Sequence, residues 1–321
     1  MKNFIFIPDT NKGAGLGHLF RCYQYSNFVN KDYKIIFLIN KNFDPKYLIH
    51  KNERSIKISY IFFSDLKKTL GLLKKDNKKI YTFIDSYNKK LHSINFNVFS
   101  IKHIAILDFK IKNSADFILD HTFKREKNFH TITSMNKIFT GLNNFPIIKK
   151  LKLKKRNTIL INFGSIKNKT LISKSLIFIK KLNLDSSYKI IIINKYFNKK
   201  DCYKLNMLNQ VICYKFFKNI DSIYERLYFT IGACGISLYE KCFYHIPSIS
   251  KCVAKNQYFN FVNFFSNNCI LSFDQVMKID LKNLENKKNI LDKIHNVENN
   301  LKRYFDYNKN RKNLGLFFKK I

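Results

Sequence analysis

Short uninterrupted apolar runs recur along this chain, each followed by a longer amphipathic stretch, and that alternation constrains the fold more than any single motif. The first series of runs covers residues 3–7, 34–39, 58–62, 80–84, 103–107 and 117–119. Strands buried on both faces read as continuous apolar runs, and strands separated by helical stretches assemble into parallel sheets covered by helices. Helices are expected from Leu19 to Phe28, after Asp44-Pro45, and after the capping pair Ser64-Asp65. A second series begins at Thr158, with runs at 158–163, 189–193, 211–214 and 228–231, and a long charged helical pattern occupies 284–305. Between the series lie Phe139-Thr140-Gly141, Asn143-Asn144-Phe145-Pro146 and the lysine-rich run from Lys149 to Arg156. The chain therefore reads as two α/β domains: residues 1–145, a basic linker at 146–157, and residues 158–321 with the C-terminal helices. Its 321 residues exceed the length at which single cores stop growing, roughly 250 to 300 residues.

Composition narrows the partners. The chain is 45% hydrophobic and 16% aromatic, as globular packing requires. It has no stretch near the roughly 18 uninterrupted apolar residues of a membrane span. The first apolar run is too short for a signal peptide and is closed by Pro8 and Asp9, which points to the cytoplasm. Seven cysteines form an odd set without Cys-x-x-Cys or zinc-type spacing, as expected of reduced thiols and of no metal site. The formal net charge of +37 is spread along the whole chain and accompanies abundant Asn, Ile, Phe and Tyr, few Gly and Pro, and no Trp. That pattern reads as a coding bias toward A/T-rich codons, with no nucleic-acid module signature beside it. A monomer without nucleic-acid partner, membrane span or cofactor is expected.

Two glycine-rich turns stand where a strand should pass into a helix. The first is Gly13-Ala14-Gly15-Leu16-Gly17-His18, followed by Arg21, and it matches neither a P-loop nor a dinucleotide fingerprint. Glycine lets a ligand approach bare backbone, and the following helix start presents unpaired N–H groups to an anion. The second is Gly232-Ala233-Cys234-Gly235-Ile236-Ser237, with Glu240 one turn into its helix. Here Gly232 and Gly235 would let the backbone close on a phosphate, Ser237 would donate a hydroxyl, and Glu240 would accept from ribose hydroxyls. Asp85, Tyr87 and Asp108 fall at carboxyl ends of expected strands, where open α/β sheets bind ligands.

Taken in order, these motifs resemble the UDP-sugar hydrolases of the pseudaminic acid pathway, related in fold to the glycosyltransferase B (GT-B) group. The resemblance spans most of the chain up to about residue 270 and rests on three blocks. The first is Asp9 through Gly13-x-Gly15-x-Gly17-His18-x-x-Arg21-Cys22. The second is Phe139-x-Gly141-Leu142-x-x-Phe145-Pro146-Ile147-Ile148. The third is Gly232-Ala233-Cys234-Gly235, Tyr239-Glu240-Lys241, His245-Ile246-Pro247-Ser248 and Asn256-Gln257. The chain departs from that pattern at Asp85-Ser86-Tyr87, where the family has Asp-His-Tyr, and at a shortened Phe163-Gly164-Ser165-Ile166 turn.

The resemblance implies two Rossmann-like domains facing across a cleft. It implies cleavage of UDP-2,4-diacetamido-2,4,6-trideoxy-β-L-altropyranose at the anomeric carbon to free sugar and UDP, without metal. In that scheme His18 is the base that activates water, with Asp9 or Tyr87 as its orienters. Gly15, Gly17 and Arg21 orient the base or bind substrate, Asn256 and Gln257 fix the sugar's hydroxyl or amide groups, and Gly232, Gly235, Ser237 and Glu240 hold the nucleotide. The alternative activity is that of a GT-B glycosyltransferase using a UDP-sugar. A binding protein for anionic polymers is the third reading, motivated by charge alone.

Overall fold

A computed structural model describes residues 2–11, 16–43, 56–76, 79–109, 111, 114–125, 137–164, 167–194, 196–198, 200–201, 210–217 and 219–321. The chain divides into two compact units, one of residues 1–148 with 308–321 and one of residues 149–307.

Among the described residues the first unit holds β1 (Lys2–Pro8), β2 (Tyr33–Asn40), β3 (Ile56–Ile61), β4 (Ile80–Asp85), β5 (Lys102–Ile106), β6 (Phe117–Asp120) and β7 (Lys137–Thr140). They form one sheet in the order β3-β2-β1-β4-β5-β6-β7, with every pairing parallel. The chain steps outward from β1 to β3 and then returns to β4 on the other side of β1. That reversal makes the carboxyl ends of β1 and β4 the topological switch point, where side chains and ligands meet in such sheets.

Alternation along β1 feeds two cores. Phe4 and Phe6 join Phe37, Phe83 and Tyr25 on one face, while Ile5 and Ile7 join Ile36, Leu38, Leu66 and Leu70 on the other. The period of two in a strand sends neighbouring side chains to opposite faces, so an unbroken apolar run serves both layers. The four-residue β7 has no such run: as an edge strand it leaves Lys137 and Thr140 exposed, and only Ile138 and Phe139 pack, partly buried, against the two cores. That is why its sequence does not announce it.

The last helix, Tyr307–Lys320, corrects the domain reading, which assigned the C-terminal helices to the second domain. Leu314, Phe317 and Phe318 recur at helical spacing and enter the first unit's core beside Phe4, Tyr25 and Phe83. The buried Asn310 adds two hydrogen bonds from Nδ2, to the carbonyls of Leu142 at 3.1 Å and Phe145 at 2.7 Å. The apolar face alone does not say which core it covers.

In the second unit β8 (Thr158–Asn162), β9 (Lys189–Ile193), β10 (Val211–Tyr214), β11 (Leu227–Ala233), β12 (Ser248–Lys251) and β13 (Leu271–Ser272) form a parallel sheet. Its order, β10-β9-β8-β11-β12-β13, places the reversal between β8 and β11. Ile159, Ile161, Ile190, Ile192, Phe229 and Ile231 pack with Leu176 and Ile179 of the Lys169–Lys181 helix and with Ile290 and Ile294 of the Leu284–Tyr304 helix. The short β12 and β13 at the end of the sheet are additional to the expected strands.

The lysine-rich run is fastened to this unit, in contrast to the expected solvated linker. Leu151 is buried, the backbone N–H of Lys154 donates to the Glu225 carbonyl at 2.8 Å, and Arg156 pairs with Glu298 at 2.6 Å. The expected helix after Asp44-Pro45, the turn residues Ser165 and Ile166, and Gly13 and Gly15 lie outside the described residues.

Candidate functional site

The Gly17–Ser26 helix starts close behind β1, so its first turn stands at the sheet's switch point. His18 and Arg21 are three residues apart and therefore share one face of that helix. Both reach Asp85, the last residue of β4, which lies in register beside Pro8 of β1. Nδ1 of His18 is 2.6 Å from Oδ1 of Asp85. Arg21 grips the same carboxylate twice, through Nε to Oδ2 at 2.6 Å and through Nη2 to Oδ1. Its Nη1 donates to Nε2 of His121 at 3.0 Å. His18, Arg21, Asp85 and His121 are all buried.

The carboxylates here come from four neighbouring strand ends. Asp9 follows β1, Asp85 ends β4, Asp108 follows β5 and Asp120 ends β6. Asp9 accepts from Ser86 Oγ at 2.7 Å and from the backbone and side-chain N–H groups of Asn11 at 3.2 and 3.0 Å. Asp108 accepts from the Tyr87 hydroxyl at 2.8 Å, and the Tyr87 ring meets His18 edge-on with centroids 4.8 Å apart. Arg125 joins Asp120, at 2.7 Å, to the backbone carbonyl of Asp108, at 2.6 Å.

Burial alone would favour protonation of Asp85, but the charges of Arg21 and His18 and their hydrogen bonds hold its carboxyl well below the usual carboxylate range. His121 is pushed down to about 3 by burial and by the adjacent guanidinium, so it is neutral and accepts from Arg21. Burial raises Asp108 despite the opposing pull of Arg21 and the Tyr87 bond. His18 Nδ1 faces the Asp85 carboxylate, so the neutral tautomer that fits this contact donates its Nδ1–H to Asp85. That tautomer carries its lone pair on Nε2, the atom a general base uses.

The hydrogen-bond partner of the His18 ring is thus Asp85, in place of the expected Asp9 or Tyr87. Asp9 bonds instead to Ser86 and Asn11 at the start of the turn, while Tyr87 packs against the imidazole. Arg21 acts through Asp85. Asp85, Asp120, His121 and Arg125 are functional candidates that the motifs missed, although Asp85 was recognised as a strand end. The usable signal was adjacency: once β1 and β4 are neighbours, the carboxylate ending β4 must stand beside the helix that follows β1.

In the second unit β11 passes through Cys234 and Gly235 into the Ile236–Phe243 helix. Gly232 lies within β11, three residues before the helix cap at Gly235. It pairs with Asn162 of β8, and a Cβ added there would lie 2.1 Å from the Asn162 carbonyl oxygen, so glycine permits the close strand approach. Gly235 caps the helix with extended backbone, and neither of these glycines nor the helical Gly17 has positive φ; Gly141 and Gly164 do. Ser237 is half-buried in the helix's first turn. Glu240 accepts from the Tyr224 hydroxyl at 3.4 Å. Gln257 comes to the same helix start: its Nε2 lies 3.6 Å from where a Gly235 Cβ would be, and its Oε1 accepts from the Val253 N–H at 3.1 Å. The exposed Asn256 precedes it in a 3-10 turn.

Two parallel α/β sheets of seven and six strands in one chain match the GT-B glycosyltransferase fold. The similar solved structures include UGT2 of Phytolacca americana in complex with UDP-2-fluoro-glucose and pterostilbene, at TM-score 0.67 and 11% identity over 100% of this chain and 99% of that one. MurG of Acinetobacter baumannii superposes at TM-score 0.64 with 11% identity over 100% of both chains. UGT71G1 of Medicago truncatula in complex with UDP-glucose reaches 0.62 with 11% identity over 99% of this chain and 98% of that one. No protein-family model matches the chain, and no curated protein matches it. Among the described residues no group of three or more His, Cys, Asp or Glu is arranged to hold a metal ion. No described helix is long and apolar enough to cross a membrane.

Proposed function

We propose that this chain is a UDP-sugar-dependent enzyme that moves the sugar from the nucleotide to an acceptor hydroxyl deprotonated by His18. The observation that carries this reading is the His18–Asp85 pair: an imidazole at the sheet's switch point, with Nδ1 2.6 Å from a buried carboxylate. A histidine held this way can take a proton through Nε2 as the acceptor oxygen attacks the anomeric carbon. UDP is a weakly basic leaving group, so the departing charge needs donors rather than a general acid. The Ile236–Phe243 helix start and Ser237 would hold the diphosphate, and Glu240 the ribose. The solved neighbours crystallised with UDP-sugars support the same ligand class.

Water as the acceptor is the second reading, favoured by the ordered sequence blocks around His18, Glu240 and Asn256-Gln257. The two separate in one assay. Purified protein is incubated with a panel of UDP-sugars, the diacetamido-trideoxy sugar nucleotide included, with and without candidate hydroxyl acceptors, and the anomeric signals are followed by NMR. Consumption only with an acceptor supports transfer; equal consumption in water alone supports hydrolysis. If millimolar UDP leaves the thermal midpoint unmoved and no UDP-sugar is consumed, both readings fail.

A further inference from the structure

The Ile236–Phe243 helix carries, one turn beyond Ser237, a cation that the arrangement above does not use. Lys241 is 2% exposed as a residue, and among the described residues its ammonium makes no hydrogen bond or ion pair; Nζ itself is not fully enclosed, so the tip of an otherwise buried side chain opens to solvent. Lysines are almost never fully buried unless paired, because desolvating an uncompensated ammonium is unfavourable. Burial accordingly lowers the Lys241 pKa from the usual lysine range, and the nearby Cys242 and Cys234 thiols and the Glu240 carboxylate counter this only in part. The position calls for an anion that the protein itself does not supply.

Helix geometry indicates where that anion would sit. Lys241 and Ser237 are four residues apart and lie one above the other on the same face. Side chains on a helix lean back toward its N-terminus, so the Lys241 stem runs along Ser237 toward the Cys234–Gly235 turn. Cys234, seven residues earlier, is among the groups whose charge reaches the ammonium, in agreement with that direction. Gly235 caps this eight-residue helix without a side chain, which leaves the first backbone N–H groups available to a ligand.

We propose that Lys241 is the cation of a nucleoside-diphosphate site at this helix start, its ammonium meeting the phosphates beside the Ser237 hydroxyl and the helix N–H groups. The inference rests on the UDP-sugar reading and adds the residue that neutralises the leaving diphosphate.

Calorimetric titration of the full chain with UDP and with uridine tests it, using wild type, Lys241→Met and Lys241→Gln. Removing a charge-assisted contact to phosphate should weaken UDP by about tenfold or more while uridine binding stays as in wild type. Both variants should melt at or above the wild-type midpoint, since an unpaired buried charge has been removed. Unchanged UDP affinity overturns the inference and leaves the UDP-sugar reading standing. So does an equal loss for uridine, which would place the effect away from the phosphates. A depressed midpoint or a failure to fold also overturns it, by making the ammonium a structural group. Wild type that binds neither probe overturns the functional reading and the inference together.

Discussion

Nδ1 of His18 lies 2.6 Å from Oδ1 of Asp85, and the same carboxylate is clamped by Arg21. The imidazole is therefore held in one orientation with Nε2 as its proton acceptor. Under the proposed function, His18→Asn should lower kcat by about 10² to 10⁴. The dissociation constant for UDP, measured by calorimetry, should stay near wild type, because the nucleotide groups belong to the other unit. A variant with near-normal kcat would make His18 a structural residue.

Asp85→Asn should destabilise the fold as well as impair turnover. The amide cannot balance the buried guanidinium of Arg21, and breaking a buried ion pair from one side costs about 3–5 kcal/mol. Burial works against ionisation, yet Arg21 and His18 keep the Asp85 carboxyl below the usual range. A depressed carboxylate contributes stability that is present above the unfolded value of about 3.9 and lost as pH falls through the folded value. The gap between wild type and variant in urea unfolding should hold from pH 7 to 5 and narrow below about pH 4. A gap of equal size at pH 3 would show that the ion pair is not its source.

Two buried histidines give a second, separate acid sensitivity. His103 is pushed down to about 3 by burial and by His92, and His121 to the same value by burial and Arg21. In the unfolded chain each takes up a proton near pH 6.5, whereas the fold resists protonation until about pH 3. Their contribution is thus complete above pH 6.5 and falls as the pH drops, by up to about 1.4 kcal/mol per pH unit for each. His103→Gln should remove about one proton's worth of that slope from the pH dependence of unfolding, read between pH 6.5 and 5.

Glycine to alanine should have opposite effects at two sites. Gly232→Ala puts a Cβ 2.1 Å from the Asn162 carbonyl oxygen, so β8 and β11 must separate. A loss of about 1–3 kcal/mol follows in chemical denaturation. Gly71 lies inside the Leu66–Asp76 helix with nothing within 4 Å of an added Cβ, and Gly71→Ala should stabilise by up to about 1 kcal/mol. A stable Gly232→Ala variant would show that the strand contact yields.

Replacing the exposed Lys149, Lys150, Lys152 and Lys155 by Gln, while keeping Lys154 and Arg156, should leave turnover nearly intact. Exposed charges are screened and contribute little. Loss of tight, salt-sensitive nucleic-acid binding on this change would instead support the charge-driven reading.

The amino-acid sequence by itself determined the layer architecture. Runs such as Phe4-Ile5-Phe6-Ile7 supply both faces of a buried strand, and their alternation with amphipathic stretches leaves parallel sheets as the way to bury them. It also brought His18, Ser237 and Glu240 into view, because glycine-rich strand-to-helix turns are local signals. Tertiary structure alone decided the partners. Asp85 meets His18 across 67 positions and Arg21 meets His121 across 100, and only the strand order β1-β4-β5-β6 brings these groups together. The same holds for Gly232, whose glycine answers to the Asn162 backbone of a neighbouring strand, and for Phe317 and Phe318, whose helix covers the first core after the chain has built the second. Local patterning states that a face must be buried or a charge balanced; what buries or balances it depends on which distant elements the sheets bring alongside.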